Sequence, residues 1–125
     1  MEYIMIEGIG LKVVDIGEFK QLFMKQGDEF IRTVFTFKEM EYCKKRPIQS
    51  LAARFAVKVA WAKASGFRES LNWIDVETIN HISGKPYICL HGNALLWANS
   101  CKLKESSVSI THSKTVAMAL VILQK

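Results

Sequence analysis

Arg54, Lys58 and Lys63 are the residues whose spacing first suggests chemistry. They lie in the stretch Pro47 to Gly66, PIQSLAARFAVKVAWAKASG, which reads as one long helix. Pro47 suits a first helical turn, where a missing N–H costs nothing. Gly66 stands where a C-terminal cap is expected. Leu51, Phe55, Val59 and Ala62 recur at helical spacing and predict a buried stripe. Arg54 and Lys58, four apart, share a neighbouring face, with Lys63 one turn on. Such cations either lay their stems along the rim of a core or grip an anion, for which phosphate is the natural partner. Lys12 and Asp15 in GIGLKVVDI, Lys85 in SGKPY and His112 in SITHSK are further polar candidates. Asp15 also suits the cap of a following helix, and a lone turn histidine such as His112 suits a solvated or structural role.

These residues need a scaffold. Tyr3 to Ile9 is β-branched and apolar and reads as a strand, with Gly8 and Gly10 marking a bulge or a close backbone approach. Ile16 to Lys25 predicts a short helix ended by Gln26-Gly27-Asp28, and Glu29 to Val34 another helical turn. Thr36, with Glu39 three residues on, predicts a capping box on a helix through Cys43. The cations Lys44, Lys45 and Arg46 suit that helix's negative end. Trp73 to Asn80 alternates as a half-buried strand does, and with a turn over residues 81–86 and a second strand, Tyr87 to Leu90, it predicts a hairpin. Asn93 to Cys101 reads as a short helix, Ser107 to Thr111 as a strand, His112 to Lys114 as a tight turn. Thr115 to Leu123 reads as an apolar strand buried on both sides or lying at an interface. Helices and strands intermix without regular alternation, which predicts the α+β class: an antiparallel sheet packed on the long helix.

The chain of 125 residues fits one domain, residues 1–125. Seventeen Lys and Arg against 12 Asp and Glu give a formal charge of +5, which suits an acidic partner. No long basic run or RNA-binding signature points to nucleic acid. Cys43, Cys89 and Cys101 show no zinc-type spacing and read as free thiols. No apolar run has membrane-spanning length, and Met1 to Ile9 carries Glu2 and Glu7 without a basic n-region. The expectation is a cytoplasmic protein with no membrane or nucleic-acid partner.

Four stretches, GIGLKVVDI, ARFAVKVAWAKASG, SGKPYICLHG and VSITHSKTVAMALVIL, together resemble the holo-acyl-carrier-protein synthases, the short type of 4′-phosphopantetheinyl transferase. The resemblance runs over essentially the whole chain. It implies an α+β fold assembled as a homotrimer, with coenzyme A in the groove between subunits. It implies transfer of the phosphopantetheine arm from coenzyme A to a serine of an apo acyl carrier protein, releasing adenosine 3′,5′-bisphosphate. By position, Arg54, Lys58 and Lys63 match helix cations near the coenzyme phosphates. Thr111 and His112 match a strand-end pair reaching over from the adjacent subunit, and Gly84, Lys85 and Pro86 match a loop over the nucleotide end.

The chain departs from the family at the metal. The family holds magnesium with an aspartate two residues after GIG and a glutamate directly after the helix lysine; these positions are Lys12 and Val59 here. Neither side chain supplies the hard oxygen that magnesium requires, so no metal ligand is carried over. Lys12 is expected to stand in for the ion at the diphosphate, beside Lys58 and Lys63, which makes Lys12, Lys63 and His112 the candidates for chemistry. His112 is the neutral-pH base among the matched positions. Glu18 occupies the commonest place of a basic residue that meets the acidic carrier, with Lys20 the nearest cation, so a specialised carrier protein is a further expectation. The alternative is a catalytically degenerate trimer that binds coenzyme A or a carrier protein without transfer.

Overall fold

A computed structural model describes residues 5–67 and 70–125 of the chain. The start of the first expected strand, at residues 3 and 4, lies outside them. In chain order the elements are β1 (Ile6–Asp15), α1 (Ile16–Val34), α2 (Phe37–Tyr42), α3 (Pro47–Ser65), a 3-10 turn (Trp73–Asp75), β2 (Val76–Asn80), β3 (Pro86–Leu90), α4 (Gly92–Ser100), β4 (Glu105–His112) and β5 (Val116–Gln124). The strands form an antiparallel sheet of order β1-β5-β4 and a separate β2-β3 hairpin. The class is α+β, as the sequence implies.

Helix α3 is the axis of the core. Pro47 opens it and Gly66 closes it in the left-handed region at φ 71°. It is buried nearly all round, through Leu51, Ala52, Ala56, Val57, Ala60, Trp61 and Ala64. One face lies on β1 and β5 at unusually short range. A Cβ on Gly8 would sit 1.9 Å from the Ala64 carbonyl oxygen, and one on Gly10 would sit 1.9 Å from that of Ala60. Glycine on the strand and alanine on the helix therefore set the spacing of the two layers. The register of β1 also shifts between Ile6 and Gly8, so both expectations for the paired glycines are met. Ala117, Ala119, Val121 and Leu123 of β5 turn their side chains inward to the same core.

The local signals hold with two extensions. Strand β1 does not stop at the glycines but runs to Asp15, whose carboxylate accepts from the Glu18 N–H at 2.9 Å and caps α1. Helix α1 spans both expected helical pieces and breaks at Gly27, φ 78°, where the sequence places its stop. The capping box of Thr36 and Glu39 is formed. Trp73–Asp75 forms a 3-10 turn, and the second strand begins only at Val76.

Candidate functional site

The long helix sorts its cations by depth. Lys58 is 0 % exposed. Its ammonium donates to Glu39 Oε1 at 2.8 Å, to the Trp73 carbonyl at 3.0 Å and to the Val76 carbonyl at 2.6 Å. All three donors are engaged, and none remains for a phosphate. Burial pushes this ammonium below its ordinary value, against the pull of Glu39. Glu39 in turn accepts from the Thr36 and Thr78 N–H groups at 3.1 Å each. The expectation that Lys58 grips phosphate is therefore corrected: it knots α3, α2 and β2 together inside the core.

Arg54 is corrected in the same sense. It is buried, its guanidinium lies 4.6 Å from the Tyr42 ring centre, and Nη2 donates to Asn80 Oδ1. Asn80 donates onward to the Gly84 carbonyl at 2.9 Å, and the His81 N–H donates to the Lys85 carbonyl at 2.9 Å. Arg54 thus braces the Gly84-Lys85-Pro86 turn from below. Gly84 takes φ 92°, which favours glycine there, and Lys85 is exposed.

The helix face left open is Phe55, Val59 and Lys63, spaced by one turn each. This revises the expected stripe, because Phe55 and Val59 are only partly covered while the positions beside them are buried. Val59, Ala62, Lys63, Leu71 and Trp73 line a cleft of about 450 Å³. Lys63 is exposed, and its ammonium donates to the Leu11 carbonyl at 3.3 Å, leaving N–H bonds for a ligand. Lys12 follows Gly8 and Gly10 on the side of β1 that faces α3. It lines a shallower hollow with Asp15, Glu18, Phe19 and Phe55. Lys12 thus stands beside the Phe55 end of the open stripe, and Lys63, at its other end, bonds to the strand one residue before Lys12.

Magnesium does not fit this face. An ammonium and an isopropyl group stand at the two positions that would ligate it, and the Leu11 carbonyl already accepts from Lys63. Asp15 is engaged in capping α1.

Thr111 and His112 are not brought here. His112 pairs with Ala117 of β5, which pairs with Val14 of β1, so His112 stands two strand spacings, roughly 10 Å, from β1. Both residues are exposed at the sheet's free edge. The outer sheet face beside them carries Ile9, Leu11, Val13 and Leu120, which are 58, 50, 47 and 37 % exposed.

The profile of the 4′-phosphopantetheinyl transferase superfamily matches residues 8–121. The holo-[acyl-carrier-protein] synthase of Geobacter sulfurreducens is 42 % identical over 125 residues, which cover 97 % of this chain and 99 % of the relative. That of Solibacter usitatus is 36 % identical, covering 96 % and 99 %. The crystal structure of the Neisseria meningitidis holo-[acyl-carrier-protein] synthase superposes with a TM-score of 0.87 at 29 % identity, covering 97 % of this chain and all of that one. The Bacillus anthracis synthase in complex with coenzyme A (3′,5′-ADP) gives 0.78 at 28 % identity, covering 97 % and 98 %.

Proposed function

The chain belongs to the 4′-phosphopantetheinyl transferase superfamily, and we propose that it works as a holo-acyl-carrier-protein synthase whose diphosphate site is built on lysine ammonium groups. It moves 4′-phosphopantetheine from coenzyme A to a serine of an apo acyl carrier protein. The observation that carries the lysine site is Lys63: an exposed ammonium bonded to the Leu11 carbonyl, at the rim of the Val59 cleft, with Lys12, next in the strand, lining the hollow beside Phe55.

The reaction needs little covalent help from the protein. The serine oxygen forms a bond to the phosphorus that bears the pantetheine arm. The bond from that phosphorus to the bridging oxygen breaks, and adenosine 3′,5′-bisphosphate leaves with the electron pair. The serine proton passes to a base, for which His112 is the candidate. Negative charge spreads over the non-bridging oxygens and the departing phosphate, and Lys12 and Lys63 stabilise it electrostatically. Point charges suit this task without the fixed geometry that an octahedral ion demands.

His112 serves this centre only from a neighbouring subunit, because within one chain two strand spacings intervene. A homotrimer that covers Ile9, Leu11, Val13 and Leu120 supplies it and removes an apolar face from water. Thr111 and the Gly84-Lys85-Pro86 turn hold the rest of the coenzyme. The net charge of +5 suits an acidic carrier, with Glu18 selecting among carriers.

The test is mass spectrometry of apo carrier proteins incubated with the enzyme and coenzyme A, with magnesium and again with EDTA. The expected result is the phosphopantetheine mass increase in both. Transfer that vanishes in EDTA overturns the lysine site; no transfer to any carrier under either condition overturns the enzyme.

A further inference from the structure

At the end remote from its Gly84-Lys85-Pro86 turn, the β2-β3 hairpin gathers three side chains of metal-ligating type. Glu77 of β2 stands directly across from Cys89 of β3. His91 lies two residues beyond Cys89 with extended backbone, and its N–H donates to the Asp75 carbonyl at 2.9 Å, so the ladder continues past the end of β3. Residues two apart on a strand share a face, and cross-strand partners share it too. Glu77, Cys89 and His91 therefore point the same way, and one ligand atom from each lies within 4.8 Å of the others.

The polar details match a coordinating set. His91 Nε2 is 2.9 Å from Glu77 Oε1. The other carboxylate oxygen accepts from the Thr36 hydroxyl, which fixes the carboxylate and leaves Oε1 for a single bond. Glu77 is buried, Cys89 is half-buried and is a free thiol, and the His91 side chain is 48 % exposed. The cluster is thus anchored at its inner end and open to solvent at its outer end.

We propose that Glu77, Cys89 and His91 form a binding site for zinc(II), with a water or an incoming group in the fourth position. Thiolate, imidazole and carboxylate at once is a borderline-soft donor set, which favours zinc over magnesium or calcium. Zinc bonds of about 2.0–2.3 Å place tetrahedral ligand atoms roughly 3.3–3.7 Å apart, within reach of small rotamer changes here. On binding, the Cys89 thiol loses its proton to solvent and the ion replaces the hydrogen bond between His91 and Glu77. The ion ties the hairpin, through Thr36, to the start of α2. The site lies at the opposite end of the hairpin from the Gly84-Lys85-Pro86 turn, and zinc binding is read without coenzyme A or carrier protein, so its failure is distinguishable from failure of the transferase reading.

The experiment is a competition titration of zinc chloride into the full-length, metal-free protein against a chromophoric chelator. Alongside it, Cys89 and Cys101 are alkylated with iodoacetamide and followed by peptide mass spectrometry. We expect one zinc per chain at micromolar concentration or tighter, at least tenfold weaker binding in Cys89→Ser and in His91→Gln, and at least tenfold slower alkylation of Cys89 with zinc while Cys101 is unchanged. Both substitutions fall on partly exposed residues, and circular dichroism checks their folding. Cobalt(II) gives a second readout, a thiolate charge-transfer band that Cys89→Ser removes. No binding at 100 micromolar zinc, or binding that survives both substitutions, overturns the site.

Discussion

Lys58 and Lys63 are one residue type five positions apart on one helix, and their surroundings give them opposite work. Lys58 is sealed against Glu39, so removing its charge leaves a buried carboxylate without compensation. Lys58→Met is expected to lower stability by about 3–5 kcal/mol, read by urea denaturation, while the folded protein keeps its KM for coenzyme A. Lys12 and Val59 carry the converse prediction. The double substitution Lys12→Asp with Val59→Glu supplies two carboxylates on the open face, and its transfer activity should rise with magnesium and fall in EDTA, whereas that of the parent should respond to neither. Cys43 behaves differently again. Burial pushes its thiol from the ordinary 9.0 up to about 11, with Arg54 pulling down and Glu39 adding to the rise. Folding therefore favours the protonated thiol. The contribution is whole well below pH 9 and is lost as pH climbs through 11; at 1.36 kcal/mol per pH unit, about 2 kcal/mol is gone by pH 11. Denaturation midpoints taken between pH 8 and 11 should show this fall, and Cys43→Ala should flatten it.

At the scale of elements, what matters is how closely β1 rides on α3. Gly10→Ala inserts a methyl group into the Ala60 carbonyl, and backbone on both sides leaves no soft atom to yield. The expected loss is at the upper end of roughly 1–3 kcal/mol for overpacking, visible as a lower melting temperature. Lys12 shifts with the strand, so KM for coenzyme A should rise as well. The sequence shows that the two glycines are special but not against what they press, because that depends on the layer pairing. Caps and turns were legible for a related reason: Pro47, Gly66, Thr36 with Glu39, and Gly27 act on their own neighbours in the chain. Depth on α3 was not legible. Helical spacing identifies which residues share a face, but a central helix is covered from several sides, so spacing alone does not separate the buried Arg54 and Lys58 from the exposed Lys63. The Glu77, Cys89 and His91 cluster was hidden for a different reason. Cys89 and His91 are two apart, a spacing that gathers ligands only on a strand, and Glu77 joins them only through the hairpin register.

For the whole molecule, the question is whether one chain holds a complete centre. Lys12 and Lys63 belong to the helix side of β1, whereas Thr111 and His112 belong to the far edge of the sheet. If the working site spans two subunits, defects in its two halves reside in different chains and can be separated. The Lys63→Ala and His112→Ala proteins should each be nearly inactive. Unfolded together and refolded at equal amounts, they assort at random. An interface works when the subunit giving lysine carries only the His112 change and its neighbour carries only the Lys63 change. That arrangement falls at about a quarter of the interfaces in a closed ring. Transfer should therefore return to about a quarter of the parent rate, whereas a centre held within one chain stays silent in the mixture. Leu11→Glu supplies the control. It places a charge on the exposed apolar face of β1, so it should yield a folded monomer in sedimentation and no recovery when mixed with either partner.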